Sequence, residues 1–286
     1  MNPLDLIRPS VRYARVLSIA GSDSGGGAGI QADLKTAAAL GCYGMTAITA
    51  ITAQNTLGVS AIHALPANLL TQQIDAVVED IGVDAVKIGM LHDAAVVRAV
   101  ASAIRRHRFK HVVLDPVMVA TSGDRLIADD TMAVLVAELF PLATLITPNL
   151  DEAAWLLGRP IESALQLESA ARELHALGAP AVLLKGGHLA GPQVIDVLVS
   201  SADPTAPVLR WHNERVASRN THGTGCTLST AIACHLALGH ELTEAVQLAR
   251  DYVQQAITLG ADVQVGHGHG PLNHGFAPKP LKRLLL

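Results

Sequence analysis

A segment of small and polar residues, Thr221-His222-Gly223-Thr224-Gly225-Cys226, precedes an apolar stretch with helical spacing. Glycines at the start of a helix leave backbone N–H groups uncovered, and the positive end of the helix dipole lies at the same place. This combination favours an anion such as a phosphate, and phosphoryl transfer needs such a site for the charge that develops. We therefore predict that Gly223 and Gly225 form an anion site.

Cys226 lies in the first turn of the same predicted helix. The pKa of a thiol tends to fall at that position, and a thiolate could accept the proton of an attacking hydroxyl group. The alternative is a small buried cysteine under a glycine-capped turn, but the two glycines favour a functional Cys226. For Cys234, in the middle of the helix, we expect the buried structural role.

Acidic residues and a lysine follow other apolar segments. Asp115 stands at one predicted strand end, and the segment 149–152 (NLDE) follows another. Asp115 and Glu152 could hold magnesium through water, because that ion prefers oxygen ligands and keeps part of its hydration shell. Helix capping is the alternative role for Asp151. Lys185, before two glycines, is placed to contact a phosphate from a further strand end.

A second glycine-rich segment, residues 21–29 (GSDSGGGAG), also opens a predicted helix. It is not a Walker A loop, because no Gly-Lys-Ser/Thr follows, and it lacks the G-x-G-x-x-G spacing of dinucleotide sites. Its glycines would let backbone N–H groups approach a ligand. An ordinary strand-to-helix turn is the alternative, and the sequence leaves both open.

Strand-like and helical segments alternate along most of the chain. The predicted strands are 16–21, 44–54, 83–89, 111–117, 144–149 and 180–187. The predicted helices are 28–40, 69–81, 93–106, 129–139, 150–157, 164–177, 224–238 and 242–259. This order predicts a doubly wound α/β fold, with a mostly parallel central sheet and helices on both faces. Residues 194–216 are expected to form antiparallel edge strands. In such a fold the functional loops follow the carboxyl ends of the strands.

Composition excludes several classes of protein. The chain has 286 residues and a net charge of −4, which argues against nucleic-acid binding. No apolar run approaches the roughly 18 residues of a membrane span, so we expect a cytoplasmic protein. Three widely spaced cysteines predict neither a disulfide framework nor a zinc module. The histidine-rich tail, 267–274, lacks nearby cysteine or acidic partners, so we expect a structured tail rather than a metal site.

Seven motifs in order carry a family resemblance. They are AGSDSGGGAGIQADLKT, ITAITAQNTLGV, KIGML, LDPVM, TPNLDEA, LLKGGH and NTHGTGC. Together they resemble the hydroxymethylpyrimidine/phosphomethylpyrimidine kinases of thiamine biosynthesis, within the ribokinase-like superfamily. Cys226 is the most specific feature, because most of that superfamily has aspartate after Gly-Thr-Gly. One departure is Ser24-Gly25, where many relatives have Pro-Ser; the loop should be looser, but its backbone donors survive.

The resemblance implies a role for each motif. Around the aminopyrimidine it implies Gln54 on the ring edge, Met90 on the ring face, and Asp23 and Gly21 in the first loop. For the reaction it implies Cys226 as base, with an anion hole from Gly223 and Gly225 and a phosphate contact from Lys185. It further implies ATP contacts from Lys185, Asn149 and Thr224, and Mg²⁺ near Asp115 and Glu152. A homodimer is implied in the same way, and a requirement for a monovalent cation is left open.

The expected activity is ATP-dependent phosphorylation of 4-amino-5-hydroxymethyl-2-methylpyrimidine, and then of its monophosphate. The alternative within the enzymes is a pyridoxal/pyridoxine kinase, whose substrate is also a flat ring with a hydroxymethyl arm. A non-catalytic pyrimidine-binding protein is the alternative from another class. We expect an N-terminal extension, 1–15, and one kinase domain, 16–286, because the motifs run from the first predicted strand to the penultimate helix.

Overall fold

A computed structural model describes residues 10–118, 129–201, 203 and 205–285. Its strands are β1 (Val11–Tyr13), β2 (Arg15–Ala20), β3 (Tyr43–Ile48), β4 (Ala50–Asn55), β5 (Gly58–Ala64), β6 (Ala85–Ile88), β7 (Val112–Leu114), β8 (Leu145–Ile146), β9 (Val182–Leu184), β10 (Gln193–Val199), β11 (Leu209–Glu214) and β12 (Arg283–Leu285). Its helices are α1 (Gly29–Ala39), α2 (Ala67–Asp80), α3 (Ala94–His107), α4 (Asp129–Leu139), α5 (Leu150–Leu157), α6 (Leu167–Ala176), α7 (Thr224–Ala237) and α8 (Leu242–Thr258).

An eight-stranded sheet runs through the described part of the chain in the order β11-β10-β9-β8-β7-β6-β2-β3. The pairs from β9 through β3 are parallel, whereas β10 is antiparallel to both β9 and β11. The prediction of a mostly parallel sheet with antiparallel edge strands is confirmed. Because β2, β6, β7, β8 and β9 point the same way, the loops after them meet at one edge.

Two apolar cores cover the faces of this sheet. One lies against α2, α3, α4, α5 and α6, and the other against α1, α7 and α8. Alanines are frequent in the second core, where they let α7 pack closely against α8 and α1. The parallel strands are buried on both faces, which explains their continuous apolar sequences. Among the described residues, no helix combines the length and apolar character that crossing a membrane requires.

The segment 44–54, predicted as a single strand, is divided in the structure. β3 belongs to the central sheet, whereas β4 pairs with β5 in a separate antiparallel sheet. Thr49 stands at the division, where its N–H donates to the carbonyl of Ala20 and its hydroxyl donates to the carbonyl of Met90. The prediction of one continuous strand was wrong because β-branched residues fill both strands, and β5 was not predicted.

Two smaller differences concern the ends of elements. The predicted helix 164–177 begins as a 3₁₀ turn, Ala164–Gln166, before α6. Part of the predicted extension 1–15 is ordered, because β1 pairs with β12 and Arg12 binds Asp84 at 2.6 Å. Residues 1–9 of that extension lie outside the described residues.

Candidate active site

A cavity of about 840 Å³ opens at the carboxyl ends of the parallel strands. Every site residue predicted from the sequence lines it, although these residues come from seven separate segments. They are Gly21, Asp23, Gln54, Met90, Asp115, Asn149, Glu152, Lys185, Gly223, Thr224, Gly225 and Cys226. The structure therefore brings together all the site residues that the sequence analysis selected.

The carboxylate of Asp23 organises the first glycine-rich loop. It accepts backbone N–H groups from Gly25, Gly27 and Ala28 at 2.8–3.0 Å. It also contacts Nε2 of His222 at 2.9 Å. Although burial raises the pKa of Asp23, the His222 contact and the amides hold it below the ordinary value. Most of the hydrogen-bonding capacity of this carboxylate is therefore used within the protein.

The two glycine-rich loops touch each other, and this contact requires glycine. Gly223 has φ of +85°, and a Cβ placed there would lie 1.9 Å from the carbonyl oxygen of Gly27. Gly29 has φ of +55°, and a Cβ there would lie 2.4 Å from the carbonyl oxygen of Gly21. Left-handed backbone and close backbone approach both exclude larger residues. The loops consequently form one wall of the cavity.

Cys226 lies in the first turn of α7. In this turn the backbone N–H groups of Gly225 and Cys226 have no carbonyl within the helix to which they can donate. The residue is partly exposed to the cavity, and it lines the same wall as Gly29 at the start of α1. Burial nevertheless raises the pKa of Cys226 to about 11, against the lowering effects of Lys87 and the Gly29 amide. The prediction of a lowered thiol pKa was wrong, because enclosure outweighs the helix dipole in the free protein.

Lys185 and Asp115 form an ion pair on the opposite wall. Lys185 Nζ lies 2.8 Å from Asp115 Oδ1, and Thr147 Oγ1 donates to the same oxygen at 3.0 Å. Burial lowers the pKa of Lys185, but Asp115 more than offsets this and holds it above the ordinary value. A Cβ at Gly225 would lie 3.3 Å from both Lys185 Nζ and Asp115 Oδ2. The ion pair therefore faces the amides at the start of α7.

Glu152 and Asn149 cap α5 reciprocally. Asn149 Oδ1 accepts the Glu152 N–H at 2.9 Å, and Glu152 accepts the Asn149 N–H at 2.7 Å. Burial raises the pKa of Glu152 to about 7, with Asp115 adding to the rise and Lys185 opposing it. The capping role considered for Asp151 was wrong, since Asp151 instead contacts His188 at the surface.

The carboxylates of Asp115 and Glu152 suit a magnesium ion that they contact through water. The described residues contain no group of three or more histidine, cysteine, aspartate or glutamate side chains that could hold a metal. Asp115 and Glu152 alone match an ion that keeps several waters and takes its other ligands from phosphates. The donor set suits Mg²⁺ bound together with a nucleotide better than a permanent metal centre.

Gln54 and Met90 occupy the end of the cavity under the two-stranded sheet. A β-bulge at Ala53/Gln54 re-aims the side chain of Gln54, whose Nε2 lies 3.4 Å from Nε2 of His222. Met90 covers Gly21, where a Cβ would lie 2.7 Å from its methyl carbon. This end of the cavity offers a flat apolar surface and an amide at its rim, which suits a small heteroaromatic ring.

The structure adds residues to which the sequence gave no role. His222 bridges Asp23 and Gln54, and its place beside the glycines in 221–226 was the available signal. Lys87 also lines the cavity although it is fully buried, and nothing in its strand sequence distinguishes it from a surface lysine. The far end is lined by Val194, Val216, Val253 and Ile257, an apolar recess beyond the lysine–aspartate pair.

The C-terminal tail is structured around α7. Nε2 of His274 lies 2.9 Å from the Thr227 hydroxyl, and Tyr252 donates to the His274 carbonyl. Burial lowers the pKa of His274 to about 4, so the side chain is neutral at physiological pH. His269 donates its N–H to the carbonyl of Thr56, at the turn between β4 and β5. The tail thus supports both the anion site and the two-stranded sheet.

A glycine-lined helix start, a lysine–aspartate pair and a ring-sized recess, all at the strand ends of this α/β fold, define a ribokinase-like small-molecule kinase. The family model "Phosphomethylpyrimidine kinase" matches residues 23–273. The chain belongs to the phosphomethylpyrimidine kinase family.

Known proteins show how far the similarity extends. The hydroxymethylpyrimidine/phosphomethylpyrimidine kinase of Rhizobium meliloti is 50% identical over 266 residues, covering 91% of this chain and 97% of that protein. The thiamine biosynthesis bifunctional protein ThiED of Geobacter sulfurreducens is 49% identical over 267 residues, or 93% of this chain. This chain spans only 53% of that bifunctional relative. The pyridoxal kinase of Bacillus subtilis, solved as an ADP complex, has a TM-score of 0.84 at 36% identity, covering 92% of this chain and 98% of that one.

Proposed function

We propose that the protein uses ATP to phosphorylate 4-amino-5-hydroxymethyl-2-methylpyrimidine, and then its monophosphate to the diphosphate, in thiamine biosynthesis. The observation that carries this proposal is the shared cavity. One end of the cavity has Gln54 and Met90 to bind a ring, and the other has Lys185 and the α7 amides to bind phosphates. Cys226 lines the same cavity. The 50% identity to the Rhizobium meliloti kinase supports the choice of substrate.

The pyrimidine binds at the end formed by the first loop and β4. Gln54 hydrogen-bonds the ring edge, Met90 packs on the ring face, and Gly21 leaves room for that methionine. Asp23 acts chiefly by holding the loop and orienting His222, because its oxygens already accept three backbone amides. Substrate recognition therefore depends on a rigid loop and on one amide side chain, which Thr52 and His222 hold in place.

The triphosphate binds across the start of α7. The backbone amides of Gly223, Gly225 and Cys226 and the dipole of the helix stabilise the charge that develops on the transferred group, and Thr224 lines the same space. Lys185 moves from Asp115 to a phosphate oxygen, and Asn149 borders the same space. Bound Mg²⁺ near Asp115 and Glu152 supplies charge neutralisation on the phosphates. A monovalent cation would add to the same neutralisation, and omission of potassium from the assay tests for it.

Cys226 acts as the base toward the substrate hydroxymethyl group. With its pKa near 11, only about one thiol in 10⁴ is ionised at pH 7 in the free protein. The reacting alcohol is a weaker acid than the thiol, so the thiolate cannot remove its proton before attack. The alcohol becomes more acidic as its oxygen bonds to the γ-phosphate, and a thiolate formed in the complex accepts the proton at that stage. In-line attack on the γ-phosphate then needs positioning and charge stabilisation more than covalent chemistry.

A pyridoxal kinase is the second candidate, because the Bacillus subtilis pyridoxal kinase superposes with a TM-score of 0.84. The experiment compares ATP turnover on the aminopyrimidine, its monophosphate and pyridoxal under one set of conditions. We expect the highest kcat/KM with the aminopyrimidine and measurable turnover of the monophosphate. Preference for pyridoxal would overturn the proposal, and pyrimidine binding without ADP formation would indicate a non-catalytic binding protein.

We propose a cytoplasmic homodimer as the working form. Ile51, Leu57 and Ile62 leave apolar side chains exposed on the β4–β5 sheet, and a second copy of the chain would cover them. Light scattering at micromolar concentration should give twice the 29.8 kDa chain mass. Ile51→Lys/Ile62→Lys should reduce that mass to one chain, and a monomer for the unaltered protein would contradict the dimer. A fusion to a fluorescent protein, imaged in bacterial cells, tests the cytoplasmic location.

A further inference from the structure

Lys87 is a fully buried lysine that the proposed reaction does not use. Its Nζ lies 2.9 and 2.8 Å from the two carboxylate oxygens of Asp33. The same carboxylate accepts the hydroxyls of Ser18 at 2.5 Å and Thr230 at 2.6 Å. Two charged groups are rarely removed from water so completely without a function, because the desolvation cost is several kcal/mol per ion.

The position of this cluster relative to Cys226 follows from helix and strand geometry. Asp33 lies one turn after Gly29 on α1, and Thr230 lies one turn after Cys226 on α7. The hydrogen bond from Thr230 to Asp33 therefore joins α7 to α1 one helical turn below Cys226 and Gly29, both of which line the cavity. This bond fixes the Asp33 carboxylate, and with it the Lys87 ammonium group, beneath the thiol.

The sheet supplies the third side of the cluster. Ser18 on β2 and Lys87 on β6 are directly opposite each other in the parallel register. Both side chains point to the face on which α1 and α7 pack, two residues beyond the buried Val16 and Ala85. Lys87 thus reaches the floor of the cavity from the sheet, whereas Asp33 contacts Lys87 from α1.

Four charged groups act on the Cys226 thiol. Lys87 and Lys185 favour the thiolate, and Asp33 and Asp115 disfavour it. Lys87 has the largest favourable effect of the groups around the thiol, and its contact with Asp33 holds its pKa above the ordinary value despite burial. If the proposed function is correct, Lys185 leaves Asp115 to bind a phosphate oxygen. Lys87 is then the positive charge that remains beneath the Cys226 thiol.

We propose that Lys87 is a positioning residue for Cys226, and that its ammonium group, fixed by Asp33 one helical turn below that cysteine, stabilises the thiolate form of the cysteine. This inference deepens the proposed function, since a base at Cys226 must lose its proton. Lys87 touches neither substrate nor nucleotide in this arrangement. It acts only through the charge and the packing that it supplies under the thiol.

The test measures alkylation of Cys226 by iodoacetamide as a function of pH, with peptide mass spectrometry to separate it from Cys42 and Cys234. Magnesium is removed with a chelator and no substrate is added, so the result does not depend on kinase activity. The variant Lys87→Met/Asp33→Asn is compared with Asp33→Asn alone, which lacks the same carboxylate charge and keeps the ammonium group. We expect alkylation at pH 8 to be about tenfold slower in the double variant than in Asp33→Asn, with its profile at higher pH.

Controls separate charge from packing. Ser18→Ala removes one hydrogen bond to Asp33 and no charge, and Lys87→Arg keeps the positive charge, so both should keep the pH profile of the unaltered protein. Lys87→Gln/Asp33→Asn, which keeps a hydrogen bond within the pair, replaces the methionine variant if that one fails to fold. A pH profile within twofold of that of Asp33→Asn at every pH, in a folded variant that lacks both charges, overturns the inference.

The outcome is distinguishable from failure of the proposed function. If alkylation shifts but Cys226→Ala still turns over the aminopyrimidine at the normal rate, Lys87 positions the thiol and the base assignment is wrong. If Cys226→Ala is inactive and alkylation does not shift, the base assignment stands and the role of Lys87 is only structural.

Discussion

Two lysine–aspartate pairs lie on either side of Cys226, and they differ in what surrounds them. Lys185 and Asp115 share one hydrogen bond of 2.8 Å, and the Lys185 side chain is 13% exposed to the cavity. Lys87 and Asp33 share two such bonds, and both side chains are 1% exposed or less. The first pair is open enough to exchange a partner for a phosphate, whereas the second is closed to solvent although Lys87 borders the cavity. In the proposed mechanism, one mobile and one fixed positive charge therefore act around the same thiol.

The largest expected effect is on the free energy of unfolding, which loss of each lysine should lower by different amounts. Lys87→Met should destabilise the protein by about 3–5 kcal/mol, because it leaves the Asp33 carboxylate buried and unpaired. Lys185→Met should cost less than about 2 kcal/mol, since Asp115 keeps Thr147 and can reach water in the cavity. Urea unfolding at pH 8 measures both. Equal losses would show that the two pairs do not differ as their burial indicates.

The next effect concerns the thiol that both pairs face. Cys226→Ala should lower kcat by at least about 100-fold, as expected for loss of a proton acceptor, and leave ATP binding nearly unchanged. Steady-state kinetics and calorimetry with ATP measure the two quantities. Cys234→Ala is the matched control, because that cysteine is buried in the same helix away from the cavity. Near-normal turnover of the Cys226 variant would contradict the base assignment.

A smaller effect is the pH dependence of turnover. Because the pKa of Cys226 is raised to about 11, its thiolate fraction grows about tenfold per pH unit below that value. We expect kcat/KM to rise in this way between pH 8 and 10, where Lys185 stays charged. The rise should be absent in Cys226→Ala. A profile that is already flat at pH 8 would mean that the thiol ionises at a lower pH in the working enzyme.

The smallest effect is on the pH dependence of stability, through Glu152. Its pKa of about 7 exceeds the unfolded value of 4.5, so the folded protein binds more protons between these values. The stabilising contribution is present below pH 4.5 and is lost as the pH rises through 7. Glu152→Gln should reduce the loss between pH 5 and 8 by up to about 2.5 kcal/mol, measured by urea unfolding without magnesium. If Glu152→Gln loses as much stability between pH 5 and 8 as the unaltered protein, other titrating groups cause the loss.

The sequence predicted the location of the site better than its electrostatics. Asp115, Asn149 and Lys185 were found because parallel strands gather their carboxyl ends at one edge, a property that follows from the order of elements. The pKa of Cys226 was predicted in the wrong direction, because enclosure by the tertiary structure outweighs the local effect of the helix. Lys87 could not be recognised, since only the sheet register places it opposite Ser18 and beneath the thiol.

The division of 44–54 was missed for a related reason. β3 and β4 have similar β-branched sequences, and only the contacts of Thr49 with Ala20 and Met90 turn the chain out of the central sheet. Local propensity describes each strand correctly, yet it contains no information about which sheet a strand joins. The register of β4 with β5, including the bulge at Gln54, depends on that tertiary choice.

This arrangement places Gln54, for which we propose a ring contact, on a ribbon outside the central sheet. Residues 50–64 contribute no strand to that sheet and no residue to the start of α7. The other proposed ring contacts, Gly21 and Met90, lie just after strands of the central sheet. We therefore expect that exchange of the ribbon alone would reshape one edge of the ring site and leave the phosphate site in place.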